Sequence, residues 1–252
     1  MSEDNRNLFS GRAADYAQAR PSYAAALLDA LYEKHGFSAS SRIADIGAGT
    51  GKFSELLLAR GSTVYSVEPN ADMRAECVAR LKGYANFVPV AGDAAHTGLP
   101  SGSVDIVTAA QAFHWFEPNA FRAECARLTG GGIVAIVYNE HGQEGVYGEI
   151  EEIAARYRPE RVAYRSHARA AAKSSAIAEF FRGRFAVERA DYPLAEDEEI
   201  FLRRRLSSSY APRAGEEGYE GFCAEMRELF ARYERGGKVV MENRSVAYIG
   251  RV

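Results

Sequence analysis

Between residues 41 and 139, five short apolar runs, "SRIADIG", "STVYSVEP", "NFVPVAGD", "SVDIVTAA" and "GGIVAIVYN", alternate with stretches of helical spacing. That rhythm leaves few folding options. Strands separated by helices connect through right-handed crossovers, which makes the sheet parallel and puts helices on both faces. The expected helices are "GKFSELLLARG", with Phe53, Leu56 and Leu57 on one face, and "NADMRAECVARLKG", which starts on an Asn70 cap and ends at Gly83. A third is expected from Pro118 to Leu128. The fold class is therefore α/β, a doubly wound and mostly parallel sheet.

Beyond Asn139 the pattern changes. Helical character fills "EGVYGEIEEIAARYRPERVAYRSHARAAAKSSAIAEFF", "AEDEEIFLRRRLSSSY" and "EGYEGFCAEMRELFARYERGG", while strand character returns in "FAVERADYPL" and "KVVMENRSVAYIGRV". Residues 26–140 are thus expected to form the core, with 185–194 and 237–252 supplying its last strands for a total of seven. Residues 141–184 and 195–236 are expected to form a helical cap over the carboxyl edge.

A formal charge of −3 gives no general attraction to a phosphate backbone, so nucleic acid is not an expected partner. The three cysteines, Cys77, Cys125 and Cys223, are odd in number and lack any C-x-x-C pair. They suggest neither a disulfide framework nor a zinc cage, and read as buried thiols in a reducing cytoplasm with no metal. The first residues are acidic and polar rather than basic and apolar, and no run approaches the roughly 18 to 20 apolar residues that span a bilayer. The expectation is an intracellular, cytoplasmic protein away from membranes.

The chemistry concentrates in "IADIGAGTGKF", residues 43–53. A triphosphate-binding loop needs four residues between its first glycine and Gly-Lys, followed by Ser or Thr. Here three residues separate Gly47 from Gly51, and Phe53 follows Lys52. A dinucleotide turn needs a third glycine three positions after the second, where Lys52 stands. No tyrosine has a lysine four residues on, so a short-chain dehydrogenase pair is also missing.

What remains is Asp45-x-Gly47-x-Gly49-x-Gly51, with Glu68 ending the second strand and Asp93 ending the third. This set resembles the class I S-adenosylmethionine-dependent methyltransferases. A ligand lying across the carboxyl ends of parallel strands meets each strand end in turn. Glycines remove the Cβ atoms that would collide with it. The resemblance implies that Asp45 serves the ammonium end of S-adenosylmethionine, with Gly47, Gly49, Thr50 and Gly51 as the cradle. It implies that Glu68, with Pro69 beside it, binds both ribose hydroxyls, since one carboxylate accepts several hydrogen bonds. Asp93 and the Ala94 amide would contact the adenine, with Met73 against its face or simply in the core. Ala110, at the end of the fourth strand, would border the cofactor, and Gln111 just past it would bond the cofactor's ammonium end or the substrate. S-adenosylhomocysteine would be the product.

"TAAQAFHWFEP", "YAQARPSY" and "LSSSYAP" are similar to the trans-aconitate methyltransferase-like branch, whose members act on small molecules, often carboxylates. On that likeness residues 1–25 form a lid, and Tyr16, Arg20, Tyr23, Trp115 and Tyr210 are the candidate substrate residues. His114 is the candidate general base for a hydroxyl acceptor, or else a helix-start histidine bonded to backbone. A flat Trp115 ring beside a sulfonium gains cation–π attraction, although core packing also suits it. Arg203, Arg204 and Arg205 point about 100° apart on a helix, so at most two could face a pocket. Two alternatives stay open: a protein or RNA acceptor, and a cofactor-binding module without catalysis. "AAQAFHWF" lacks the Asn/Asp-Pro-Pro-aromatic sequence that holds an exocyclic amine of nucleic acid.

Overall fold

A computed structural model describes residues 21–142, 144–158, 167–208 and 211–252, with the backbone alone over 167–173. The first described helix, α1 (Ala25–Lys34), buries Leu27, Leu28 and Leu31. It is followed by β1 (Arg42–Ile46), α2 (Lys52–Leu58), β2 (Thr63–Val67), α3 (Ala71–Leu81), β3 (Phe87–Val90) and β4 (Ile106–Ala110). Then come α4 (Pro118–Thr129) and β5 (Ile133–His141). The expected Asn70 cap forms, its side chain accepting the Met73 amide, and Glu117 accepts the amides of Asn119 and Ala120 ahead of Pro118. Such caps satisfy amides that a helix start otherwise leaves unpaired.

The main sheet has seven strands in the order β3-β2-β1-β4-β5-β9-β6, with β6 (Phe185–Asp191) and β9 (Asn243–Arg251) supplied by the second half of the chain. Strands β1 to β5 are mutually parallel, and β9 runs antiparallel to both β5 and β6. Both faces are covered, as a parallel sheet requires. On one face Ile43, Val64, Ile106, Val137 and Ile249 pack under α1 and α2. On the other, Ile46, Val107, Ile136 and Val246 pack under α4 and α6 (His167–Phe180). Phe121 of α4 is fully buried and stacks on Phe180 of α6 with ring centroids 5.3 Å apart.

Register fixes what meets at the carboxyl edge. Ile46 pairs with Val67 and Val67 with Val90, so the residues after β1, β2 and β3 emerge side by side. Strand order reverses between β1 and β4, and the crevice at such a switch point is where this class of sheet holds ligands.

The remaining elements build a third core. Helices α5 (Val146–Tyr157), α7 (Glu198–Leu206) and α8 (Tyr219–Tyr233) bury Ile150, Phe201, Phe222 and Met226 together with Val239 and Met241 of a small second sheet. That sheet pairs β7 (Leu194–Glu196) antiparallel with β8 (Val239–Met241). The unit is spliced in where β5 and β6 end and β9 begins, which puts its attachment at the carboxyl edge.

Two boundaries differ from the expected ones. The helical stretch 141–184 divides, because Ile177, Phe180 and Phe181 at helical spacing draw α6 onto the main sheet while α5 joins the separate core. The run "KVVMENRSVAYIGRV" also divides at Glu242, giving β8 to the small sheet and β9 to the large one. Among the described residues, no helix is long and apolar enough to cross a membrane.

Candidate active site

The glycine turn leaves β1 and is pinned to β2, with the Gly47 and Ala48 amides both donating to the Val67 carbonyl at 2.9 and 3.1 Å. Its three glycines serve different ends. A Cβ on Gly47 would lie 2.7 Å from the Ala112 methyl, and one on Gly51 would lie 2.7 Å from Leu81 Cδ1 and 2.8 Å from Cys77 Sγ. Those two positions are bare because the protein itself closes on them. Among the described residues, an added Cβ at Gly49 would meet only Met73 Cε, at 3.8 Å, so this backbone is not closed on by the described protein as the other two are.

Asp45 lies beneath the turn and is 1% exposed. Its Oδ2 accepts from the Ser54 hydroxyl at 2.6 Å and its Oδ1 from Thr108 at 2.8 Å, while Ser66 donates to Ser54 at 2.8 Å. Burial pushes its pKa up to about 6, against the opposing pull of the Ser54 and Thr108 bonds. Glu68 projects from the end of β2, with Oε2 accepting the Gly49 amide and Oε1 the Asn70 amide, each at 2.9 Å. Its pKa is raised too, by burial first, with Asp45 adding a repulsive contribution against the Asn70, Gly49 and Arg74 effects. Two desolvated carboxylates beside a half-buried glycine backbone favour a cationic ligand. Each oxygen of Glu68 keeps a further lone pair for a hydroxyl.

The linkage has a definite sign. Because the folded pKa of Asp45 lies above its ordinary 3.8, its ionisation costs stability as pH rises from about 4 to about 6, on the order of 3 kcal/mol when complete. A bound cation works in the opposite sense, since it interacts best with the ionised form. S-adenosylhomocysteine affinity, measured calorimetrically, is therefore expected to tighten about tenfold from pH 5 to pH 7, and Asp45→Asn is expected to flatten that profile.

Asp93 lies in the loop after β3, where Oδ1 accepts the Ala95 and His96 amides at 3.0 Å each and its own amide donates to the His96 carbonyl. Ala94 packs at the margin of the core. Met73 is 5% exposed with its methyl toward Gly49, so its side chain both fills the core and backs the turn. Thr50 is buried, and Pro69 carries a carbonyl that accepts from Arg74 Nη1. The sequence did not reveal what holds the Asp93 loop. Glu124 of α4, 6% exposed, accepts the Thr97 amide at 2.9 Å and the Thr97 hydroxyl at 2.6 Å, and pairs with Arg127.

Burial would raise the pKa of Glu124, but the Arg127 and Thr97 bonds outweigh it and hold the value at about 2. Its contribution to stability is present above the ordinary 4.5 and is lost as pH falls toward 2. Allowing for solvent screening, Glu124→Gln is expected to cost about 1–3 kcal/mol at neutral pH. Thermal melts at pH 7 and pH 3 check this, since the difference from the unsubstituted protein should shrink at the lower pH.

At the end of β4, Ala110 pairs with Val137, and the next residue, Gln111, adopts a left-handed φ of +56°. Its amide donates to the Val137 carbonyl at 2.8 Å and its Nε2 to the Asn139 carbonyl at 3.3 Å. A short turn, Phe113–Trp115, follows, with Phe113 buried in the core, His114 exposed and Trp115 half-buried. The His114 ring lies 4.8 Å from that of Trp115 and 6.1 Å from that of Tyr138.

Tyr23 is 8% exposed and packs edge-on against Phe53 at 5.0 Å, so its ring anchors the start of α1 in the core. Tyr16, Arg20 and Tyr210 lie outside the described residues. Arg204 and Arg205 both pair with Glu196, which is 1% exposed, while Arg203 reaches only the exposed Glu199 at 3.8 Å. The three cysteines are buried thiols, and burial pushes Cys77 up to about 12.

A seven-stranded sheet of this order, with a glycine turn and acids at three successive strand ends, defines the class I S-adenosylmethionine-dependent methyltransferase fold. Residues 44–136 match the methyltransferase domain family. An uncharacterized methyltransferase of Mycobacterium tuberculosis is 35% identical over 150 residues, 59% of this chain and 59% of that protein. An uncharacterized methyltransferase-like protein of Schizosaccharomyces pombe is 33% identical over 153 residues, 60% of this chain and 59% of that one. The chain thus matches about three-fifths of the length of these relatives. Among solved structures, a candidate type II methyltransferase from Anaeromyxobacter dehalogenans has a TM-score of 0.67 at 21% identity, covering 92% of this chain and 97% of that one. This last likeness is one of fold.

Proposed function

We propose that the protein transfers a methyl group from S-adenosylmethionine to a small-molecule acceptor bearing a carboxylate or hydroxyl. The observation that carries the cofactor assignment is the pair of buried carboxylates, Asp45 and Glu68, flanking the open backbone at Gly49. When bound, the cofactor supplies a sulfonium-borne methyl to an in-line nucleophile. Glu68 accepts the ribose hydroxyls, Asp45 favours the cationic end from beneath the turn, and Met73 with Asp93 and Ala94 borders the adenine. Gln111 and Trp115 would border the methyl end, and His114 is the candidate base for a hydroxyl acceptor; a carboxylate acceptor requires no base.

A small acceptor is favoured by the separate helical unit attached at the carboxyl edge and by the net charge of −3. The test is methyl transfer from labelled S-adenosylmethionine into a cell extract separated by size. Label is expected in low-mass carboxylates or hydroxyl compounds. Label confined to protein or RNA would assign a macromolecular acceptor, and bound cofactor with no labelled product would favour a binding module.

A further inference from the structure

Gln111 is held in an uncommon backbone conformation, and the structure shows what holds it. A non-glycine residue at φ +56° is strained and persists only where neighbours impose it. Two hydrogen bonds do so, both to β5: the amide to the Val137 carbonyl and the side chain to the Asn139 carbonyl. Asn139 is in turn fixed by its own carboxamide. Its Nδ2 donates to the Ser22 carbonyl at 2.8 Å, and its Oδ1 accepts from the Ser245 hydroxyl at 2.6 Å. Ser245 is fully buried in β9 and also accepts the Ala24 amide at 2.9 Å. One carboxamide therefore joins β5, β9 and the segment leading into α1, and its backbone carbonyl receives Gln111.

We infer that Asn139 is a positioning residue that sets Gln111 at the methyl end of the site and couples that setting to the seating of residues 22–24. This rests on the proposed cofactor reading. The chemistry of the link is specific. A carboxamide donates on one side and accepts on the other, so it bridges the Ser22 carbonyl and the Ser245 hydroxyl at once. An aspartate of the same shape has no donor for Ser22, and places a negative charge against that carbonyl. A link of this kind, between residues in direct contact, is energetically non-additive.

The experiment is a double-mutant cycle of Asn139→Asp with Gln111→Gly, read by calorimetric binding of S-adenosylhomocysteine and by thermal melts. Glycine accepts the left-handed conformation without strain and deletes the side chain that reaches Asn139. Asn139→Asp is expected to weaken binding about tenfold in the unsubstituted background and less than twofold in the Gln111→Gly background. An equal loss in both backgrounds, or a lower melting temperature with unchanged affinity, would mean that Asn139 is structural and would overturn the inference. Should Asn139→Asp not fold, Ser245→Ala removes the same anchor from the opposite side and is read identically. Failure of the unsubstituted protein to bind would overturn the cofactor reading itself, whereas binding with no effect of either substitution would overturn only the role of Asn139.

Discussion

Replacing Glu68 by alanine is expected to weaken S-adenosylhomocysteine binding by at least about 100-fold, because hydrogen bonds to a charged acceptor contribute about 1.5–3 kcal/mol each and Glu68 offers two. The same substitution should leave the fold nearly untouched. The Gly49 and Asn70 amides lose an acceptor, but a carboxylate that burial holds above its ordinary pKa is relieved of its desolvation. A melting temperature within about 3 °C of the unsubstituted protein is the expected companion result. Unchanged affinity would mean that the ribose does not lie at the end of β2.

The glycine turn provides the second large effect, and it separates two roles within three residues of chain, Gly49 to Gly51. Gly51→Ala puts a methyl into contact with Leu81 and Cys77 at a φ of +81°, so strain and overpacking add. The expected cost is about 2–5 kcal/mol, or a fall of roughly 5–15 °C in melting temperature. Gly49→Ala carries only the conformational cost at φ +57°, about 1 kcal/mol, because its methyl would meet only Met73. It should fold, yet bind S-adenosylhomocysteine at least about tenfold more weakly, since its Cβ occupies the space left for the ligand. Melts and calorimetry on both variants check the contrast. A Gly49→Ala protein with full affinity would move the ligand off this turn.

That contrast also shows how far the sequence could be read. The spacing Gly47, Gly49, Gly51 announces a bare turn but not which glycine serves the ligand, because Ala112, Cys77 and Leu81 reach it from other segments. The acids were legible for a local reason: each ends a strand whose apolar pattern is itself visible. Their partners were not. Ser54 and Thr108 meet Asp45 only through the packing of α2 and the pairing of β4 with β1. Glu124 reaches the Asp93 loop across 27 residues of chain, and Asn139 reaches Ser245 across 106.

The core from β1 to β5 followed from alternation alone, whereas the second half required tertiary knowledge. An Ala-rich helix such as α6 does not declare whether Ile177 and Phe180 face the main sheet or the separate cap. The apolar pattern on both sides of Glu242 likewise does not declare that the chain changes sheets there.

The central claim is that Asp45, Glu68 and the Gly49 backbone form a site for S-adenosylmethionine. Titration of the folded, unsubstituted protein with S-adenosylmethionine and S-adenosylhomocysteine by calorimetry tests it most directly. Saturable binding of both at one site per chain is the expected result, and no heat of binding from either would contradict it.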